Sequence, residues 1–153
     1  MVTRLRPKPK NLYDDDFYVW TESQADLLRK RQFEALDLEN LIEEVEALGR
    51  AEKSGVLNTA SVIIEHLLKL QYSPAQEPRH TWRASVREHR RRIRRDLTPR
   101  LRQILDQELS ALYQEIRDDT AALLRDYSEN AAANALPTTC PYSLDQITGD
   151  WWP

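Results

Sequence analysis

Residues Val56–Tyr72 read VLNTASVIIEHLLKLQY. Apolar side chains fall at Val56, Leu57, Ala60, Val62, Ile63, Ile64, Leu67, Leu68 and Leu70, too densely to leave one side of a helix wet. A helix that is apolar nearly all round has to be covered on several sides. This stretch therefore predicts the central helix of an all-α bundle. Glu65, His66 and Lys69 interrupt it, and they are the polar groups whose burial needs partners.

Working outward toward the N-terminus, Asp37 stands where a helix cap belongs. Leu38, Leu41, Ile42, Val45 and Leu48 then recur at spacings of three and four, with Glu39, Glu43, Glu44 and Glu46 on the other side. Gly49 either breaks this helix or bends it, since Arg50–Lys53 are good helix formers again. Farther back, Thr21 and Gln24 have capping-box spacing and predict a helix to about Arg31. Leu12–Trp20 reads as a turn lying against the bundle, and residues 1–11 as a flexible basic tail.

Toward the C-terminus, Pro74 and Pro78 make Ser73–Thr81 a turn. Trp82, Val86, His89 or Arg90, Ile93 and Leu97 then mark a narrow apolar stripe in a helix over 82–97 that is otherwise arginine-rich. Thr98-Pro99 predicts a cap with proline at the first helical position, opening a long helix. Asn130–Pro137 reads as a helix ending in a loop. Ser143 and Gln146 repeat the capping-box spacing, and Trp151-Trp152 are expected to tuck back onto the core or onto a partner. The sum is a single helical domain over 12–153, with about five helices around the central one.

Composition narrows the function classes. With 153 residues, 31% charged and 41% apolar, the chain suits one amphipathic helical domain. Three glycines, none clustered, exclude Gly-rich phosphate loops. A net charge of −3 argues against a globally nucleic-acid-binding surface. Cys140 is the only cysteine, so no internal disulfide or thiolate zinc cluster forms, and a reducing cytoplasmic setting is expected. Having no basic neighbour in sequence, Cys140 reads as a buried small hydrophobe rather than a nucleophile. No apolar run is long enough for a signal-peptide core or a membrane span, and no cofactor is implied.

Two constellations carry candidate chemistry. Glu43, Glu44 and His66 form a candidate buried polar cluster. Helical bundles build carboxylate–histidine metal sites with Glu-x-x-His spacing, which is absent here. The expected arrangement is instead Glu43 or Glu44 paired with an arginine and His66 donating to a carboxylate, with no metal. The second constellation is the segment Arg79–Arg102, with ten arginines against Glu88 and Asp96. Arg83, Arg87, Arg90 and His89 are the candidate phosphate- or partner-binding residues, because guanidinium forks match phosphate oxygens. The competing expectation is that this helix neutralises the acidic helix Asp37–Glu46, within the monomer or across a dimer. Arg83 and His89 also fit a loose Arg-x(4–6)-His spacing found in some metal-independent, toxin-like ribonucleases, where the histidine would move a proton. A segment this rich in arginine meets such spacing by chance.

Several ordered motifs carry a resemblance: Asp16-Phe17-Tyr18-Val19-Trp20, Leu36–Glu44, His66-Leu67-Leu68-Lys69, Trp82 with the arginine helix, and Cys140-Pro141-Tyr142. Together they are similar to the bacterial "domain of unknown function 29" family over about Leu12–Pro153. The resemblance implies a single α-helical domain and carries no activity, substrate or catalytic residue. That family usually has glutamine where this chain has His89, which counts against a catalytic His89. The expectation is a cytoplasmic, non-enzymatic protein-interaction module binding a partner or itself, as a homodimer, without membrane attachment. RNA binding or a ribonuclease activity through helix 82–97 is the alternative.

Overall fold

A computed structural model describes residues 11–153; the expected basic tail lies outside them except for Asn11. The described residues form seven α-helices and no strand, so the chain is all-α as expected. It divides into two compact units, Met1–Arg50 and Ala51–Pro153, and the division falls inside one long helix.

In the first unit, α1 spans Leu12–Asp15 and α2 spans Phe17–Arg29. The predicted turn over Leu12–Trp20 is thus helical, and the predicted start at Thr21 is displaced upstream. Asp16 is the reason: its carboxylate accepts from the Val19 amide at 3.1 Å and caps α2 a turn earlier. Thr21 lies within the helix and donates its hydroxyl to the Tyr18 carbonyl at 2.7 Å. Trp20 is buried against Tyr13 and Phe17, with ring centroids 4.9 and 5.6 Å away. Its indole N–H donates to Asp37 Oδ2 at 3.0 Å, and Gln24 Oε1 accepts from the Asp37 amide at 2.9 Å. The Asn40 amide and the Trp20 indole, both donating to it, hold the Asp37 carboxyl below its ordinary pKa, and the Trp20 and Gln24 bonds fix α2 against the start of α3.

Helix α3 spans Leu38–Tyr72, 35 residues without a break. The question left open at Gly49 is settled as continuity. Gly49 and Gly55 sit in open surroundings, where an added Cβ would meet nothing within 4 Å. Each costs about 1 kcal/mol relative to alanine, which the good helix formers around them absorb.

In the second unit the remainder of α3 supplies the core. Val56, Ala60, Ile63, Ile64, Leu67 and Leu68 are all buried, five of them at 0% exposure, as the all-round apolar pattern requires. Around it lie α4 (Arg79–Asp96), α5 (Pro99–Asp126), α6 (Asn130–Ala135) and α7 (Leu144–Thr148). Arg79 donates to the Leu70 carbonyl at 2.7 Å, satisfying one of the carbonyls left open at the end of α3. Thr98 caps α5 by accepting from the Leu101 amide, with Pro99 at the first position. Ser143 and Gln146 form the reciprocal capping box of α7. The Tyr113 hydroxyl donates to the Pro137 carbonyl at 2.7 Å, and burial pushes its pKa up to about 12. Seven α-helices stand where about five were expected; the short α1 over Leu12–Asp15 is the one in a stretch read as a turn, while α6 and α7 fall where the Asn130 helix and the Ser143 cap were read.

Candidate functional site

The arginine helix makes the site. On α4, Val86 and Ile93 are buried at 0% exposure, and Arg90 lies between them on the same face, 3% exposed. A guanidinium carried into the core by helical periodicity needs acceptors, because a buried charge without them costs several kcal/mol. It finds them at the end of α7. Arg90 Nε donates to the Ile147 carbonyl at 3.0 Å, and Nη2 donates to those of Gln146 and Trp151, both at 2.7 Å. One turn along, Arg94 Nε donates to the Thr148 carbonyl at 2.7 Å and Nη2 to the Asp150 carboxylate at 2.6 Å. The last carbonyls of a helix lack partners and mark its negative end, so two guanidinium groups there complete both the hydrogen bonding and the charge. Arg94 holds the Asp150 carboxyl below its usual pKa, and burial, with the Arg94 charge beside it, draws Arg90 down from the ordinary arginine value.

The segment held in this way places Trp152 among arginines. The guanidinium carbons of Arg83, Arg87 and Arg90 lie 5.1, 5.6 and 4.9 Å from its ring centroid, cation–π contacts each worth roughly 0.5–1 kcal/mol where exposed. Beside it a cleft of about 250 Å³ is lined by Arg87, Arg90, Arg91, Arg94, Asp150 and Trp152.

The predicted set Arg83, Arg87 and Arg90 is thus brought together, but Arg90 spends its donors on backbone carbonyls. His89 is not part of the group. Its Nδ1 donates to the Ser85 carbonyl at 2.8 Å, and six residues of helix put it about 240° round from Arg83. The ribonuclease-like pairing of these two side chains is not assembled. The ion-pair partners of the arginines of the segment Arg79–Arg102 are Asp96, Asp145 and Asp150, carboxylates of their own unit. Asp150 and Arg94 were missed by sequence reasoning, since nothing local signals a contact across more than fifty residues.

The expected cluster is divided between the two units: Glu43 and Glu44 belong to the first and His66 to the second. Glu44 accepts from the Tyr13 hydroxyl at 2.6 Å, which pushes that phenol up to about 12, and Glu43 is exposed. His66 donates Nδ1–H to the Val62 carbonyl at 2.9 Å rather than to a carboxylate. Among the described residues no group of three or more His, Cys, Asp or Glu side chains is placed to hold a metal. Cys140 is half-buried, and burial raises its thiol pKa, which disfavours the thiolate.

Burial also holds His66 below the usual histidine pKa. A histidine whose pKa is depressed by folding adds stability above its unfolded value of about 6.5, and that stability is lost as the pH falls through the folded value. Thermal melts between about pH 7 and pH 5 should therefore fall more steeply for the wild type than for His66→Gln.

A second, larger cavity of about 480 Å³ lies where α3 meets the Ser73–Pro78 turn and α5. Lys69, 8% exposed, reaches it while paired with Glu65, 6.0 Å from the Trp82 ring; Ser73 donates to Glu129 at 2.7 Å on its wall. None of the helices among the described residues is long and apolar enough to cross a membrane.

No curated protein and no solved structure matches the chain. The family described as "Domain of unknown function DUF29" matches residues 12–152, and with nearly the whole chain covered, the protein belongs to the DUF29 family.

Proposed function

We propose that this protein is a non-enzymatic protein-interaction module whose docking surface lies on the first unit. One observation carries the reading. The apolar stripe at the start of α3 is open: Leu38, Ile42, Val45 and Leu48 are 51–68% exposed. Val45 and Leu48 of the stripe, with Leu28 and Phe17 of α2, line an apolar groove of about 380 Å³ over Trp20 and Leu41. Contiguous apolar surface of this kind marks interaction sites in soluble proteins, and spacings of three and four on a helix suit a helical partner lying alongside.

Charge selects the partner. Residues 11–50 carry eleven carboxylates against four basic side chains, a balance of −7. A second copy of so acidic a segment is repelled, whereas a basic amphipathic helix from another protein meets the groove, with Glu44 on its wall, and the charge around it. The test is fluorescence anisotropy with a synthetic helix bearing leucines at i, i+3, i+4 and i+7 and lysines elsewhere. Wild-type protein should bind it, and Val45→Glu should weaken binding at least tenfold, roughly 1.4 kcal/mol, without changing the melting temperature. A dimer in sedimentation that Val45→Glu dissolves would make a second copy the occupant. A monomer that ignores the peptide would overturn the reading.

A further inference from the structure

The cleft beside Trp152 holds a charge imbalance. Arg87, Arg90, Arg91 and Arg94 face it with one carboxylate, Asp150. That carboxylate is spent on Arg94, and its side chain is 93% exposed at the rim. Among the described residues no carboxylate lies within ion-pair distance of Arg87, Arg90 or Arg91. Arg90 is the telling member: its side chain is buried and hydrogen-bonded only to neutral carbonyls, so its charge has no counter-ion in contact. A desolvated cation held rigidly by three hydrogen bonds projects its field into the adjoining space, and water-filled clefts with walls of one sign concentrate ions of the other.

We propose that this cleft is a binding site for a phosphate monoester group, independent of the protein-docking surface on the first unit. Arg87, Arg91 and Arg94 stand at i, i+4 and i+7, hence on one face of α4, and each offers a planar fork of donors. A phosphate monoester brings a charge of about −1.5 to −2 and three acceptor oxygens, which matches the excess of guanidinium groups better than a single carboxylate does. The cation–π contact with Trp152 restrains Arg87, so less side-chain freedom is lost when it closes on an oxyanion. Size sets the class of ligand. At about 250 Å³ the cleft falls below the roughly 300–1,000 Å³ that encloses drug-sized molecules, so what it encloses is the phosphate and the first atoms beyond it. Asp150 occupies Arg94 in the absence of ligand and acts as a built-in competitor that an incoming phosphate displaces.

That last point supplies a test that a purely structural role for these arginines does not reproduce. The full chain is titrated calorimetrically with inorganic phosphate at low ionic strength, and separately with a short single-stranded RNA lacking terminal phosphates. One phosphate per chain should bind. Asp150→Asn, which removes the competing charge, should tighten it about fivefold, the factor given by one unit charge at contact distance in high dielectric. Arg91→Ala, an exposed position whose loss leaves the α7 clamp in place, should weaken it at least tenfold. The site is overturned if phosphate produces no heat with either the wild type or Asp150→Asn. Binding unaltered by Arg91→Ala overturns it too, because the anion then sits elsewhere. RNA binding that phosphate does not compete away assigns the arginines to a nucleic-acid backbone and equally ends the proposal.

Discussion

Arg90→Ala is expected to lower folding stability by about 1–3 kcal/mol, the cost of leaving buried hydrogen-bond acceptors without their donor. The substitution strands the Gln146, Ile147 and Trp151 carbonyls and empties the space between Val86 and Ile93. Urea unfolding should register the loss, and amide exchange should locate it in residues 144–152, which lose protection before the α3–α5 core. Arg90→Lys should rescue little, because an ammonium is a point charge on a flexible stem and cannot present a fork to three acceptors at once. A lysine variant as stable as the wild type would show that the charge alone suffices and that the planar geometry is immaterial.

Two leucines on the same helix should give opposite results. Leu67 of α3 is fully buried, and Leu67→Ala should cost about 2–5 kcal/mol, the transfer of three carbons plus the cavity left behind. Leu48, 68% exposed, should change stability by no more than about 0.5 kcal/mol on replacement by alanine. Denaturant titration of both variants at matched protein concentration decides it. Should Leu48→Ala destabilise strongly, and more so on dilution, that stripe is already covered by another chain in solution.

These leucines also mark how far the sequence could be read. Periodicity tells which residues share a helix face, and it placed Leu38, Ile42, Val45 and Leu48 together correctly. Whether anything covers that face is a tertiary fact, and here the face is open. The all-round apolar pattern of Val56–Leu70 is more informative, since no orientation of such a helix leaves its apolar side chains wet. Local chemistry was legible for the same reason: Thr98-Pro99 and the Ser143–Gln146 box act within one turn. Gly49 was ambiguous because glycine both ends helices and is tolerated inside them at a modest cost. The charge blocks named no partner residues, because a charge pattern says nothing of backbone acceptors, and arginines of α4 go to backbone carbonyls and to Asp96 and Asp150. The stripe on α4 narrowed its buried polar member to His89 or Arg90. Choosing between them required knowing that unsatisfied carbonyls waited 57 residues downstream.

That separation bears on biosynthesis. A ribosome adding roughly 5–20 residues per second needs several seconds to travel from Arg90 to Trp151. Throughout that interval the nascent chain carries a guanidinium that has no acceptors for its intended place in the interior, so α4 is kept from settling onto the long apolar helix. Domain completion is thereby tied to the emergence of the last carbonyl acceptors, and a chain interrupted before them would leave the Val56–Leu70 surface open to chaperones and proteases.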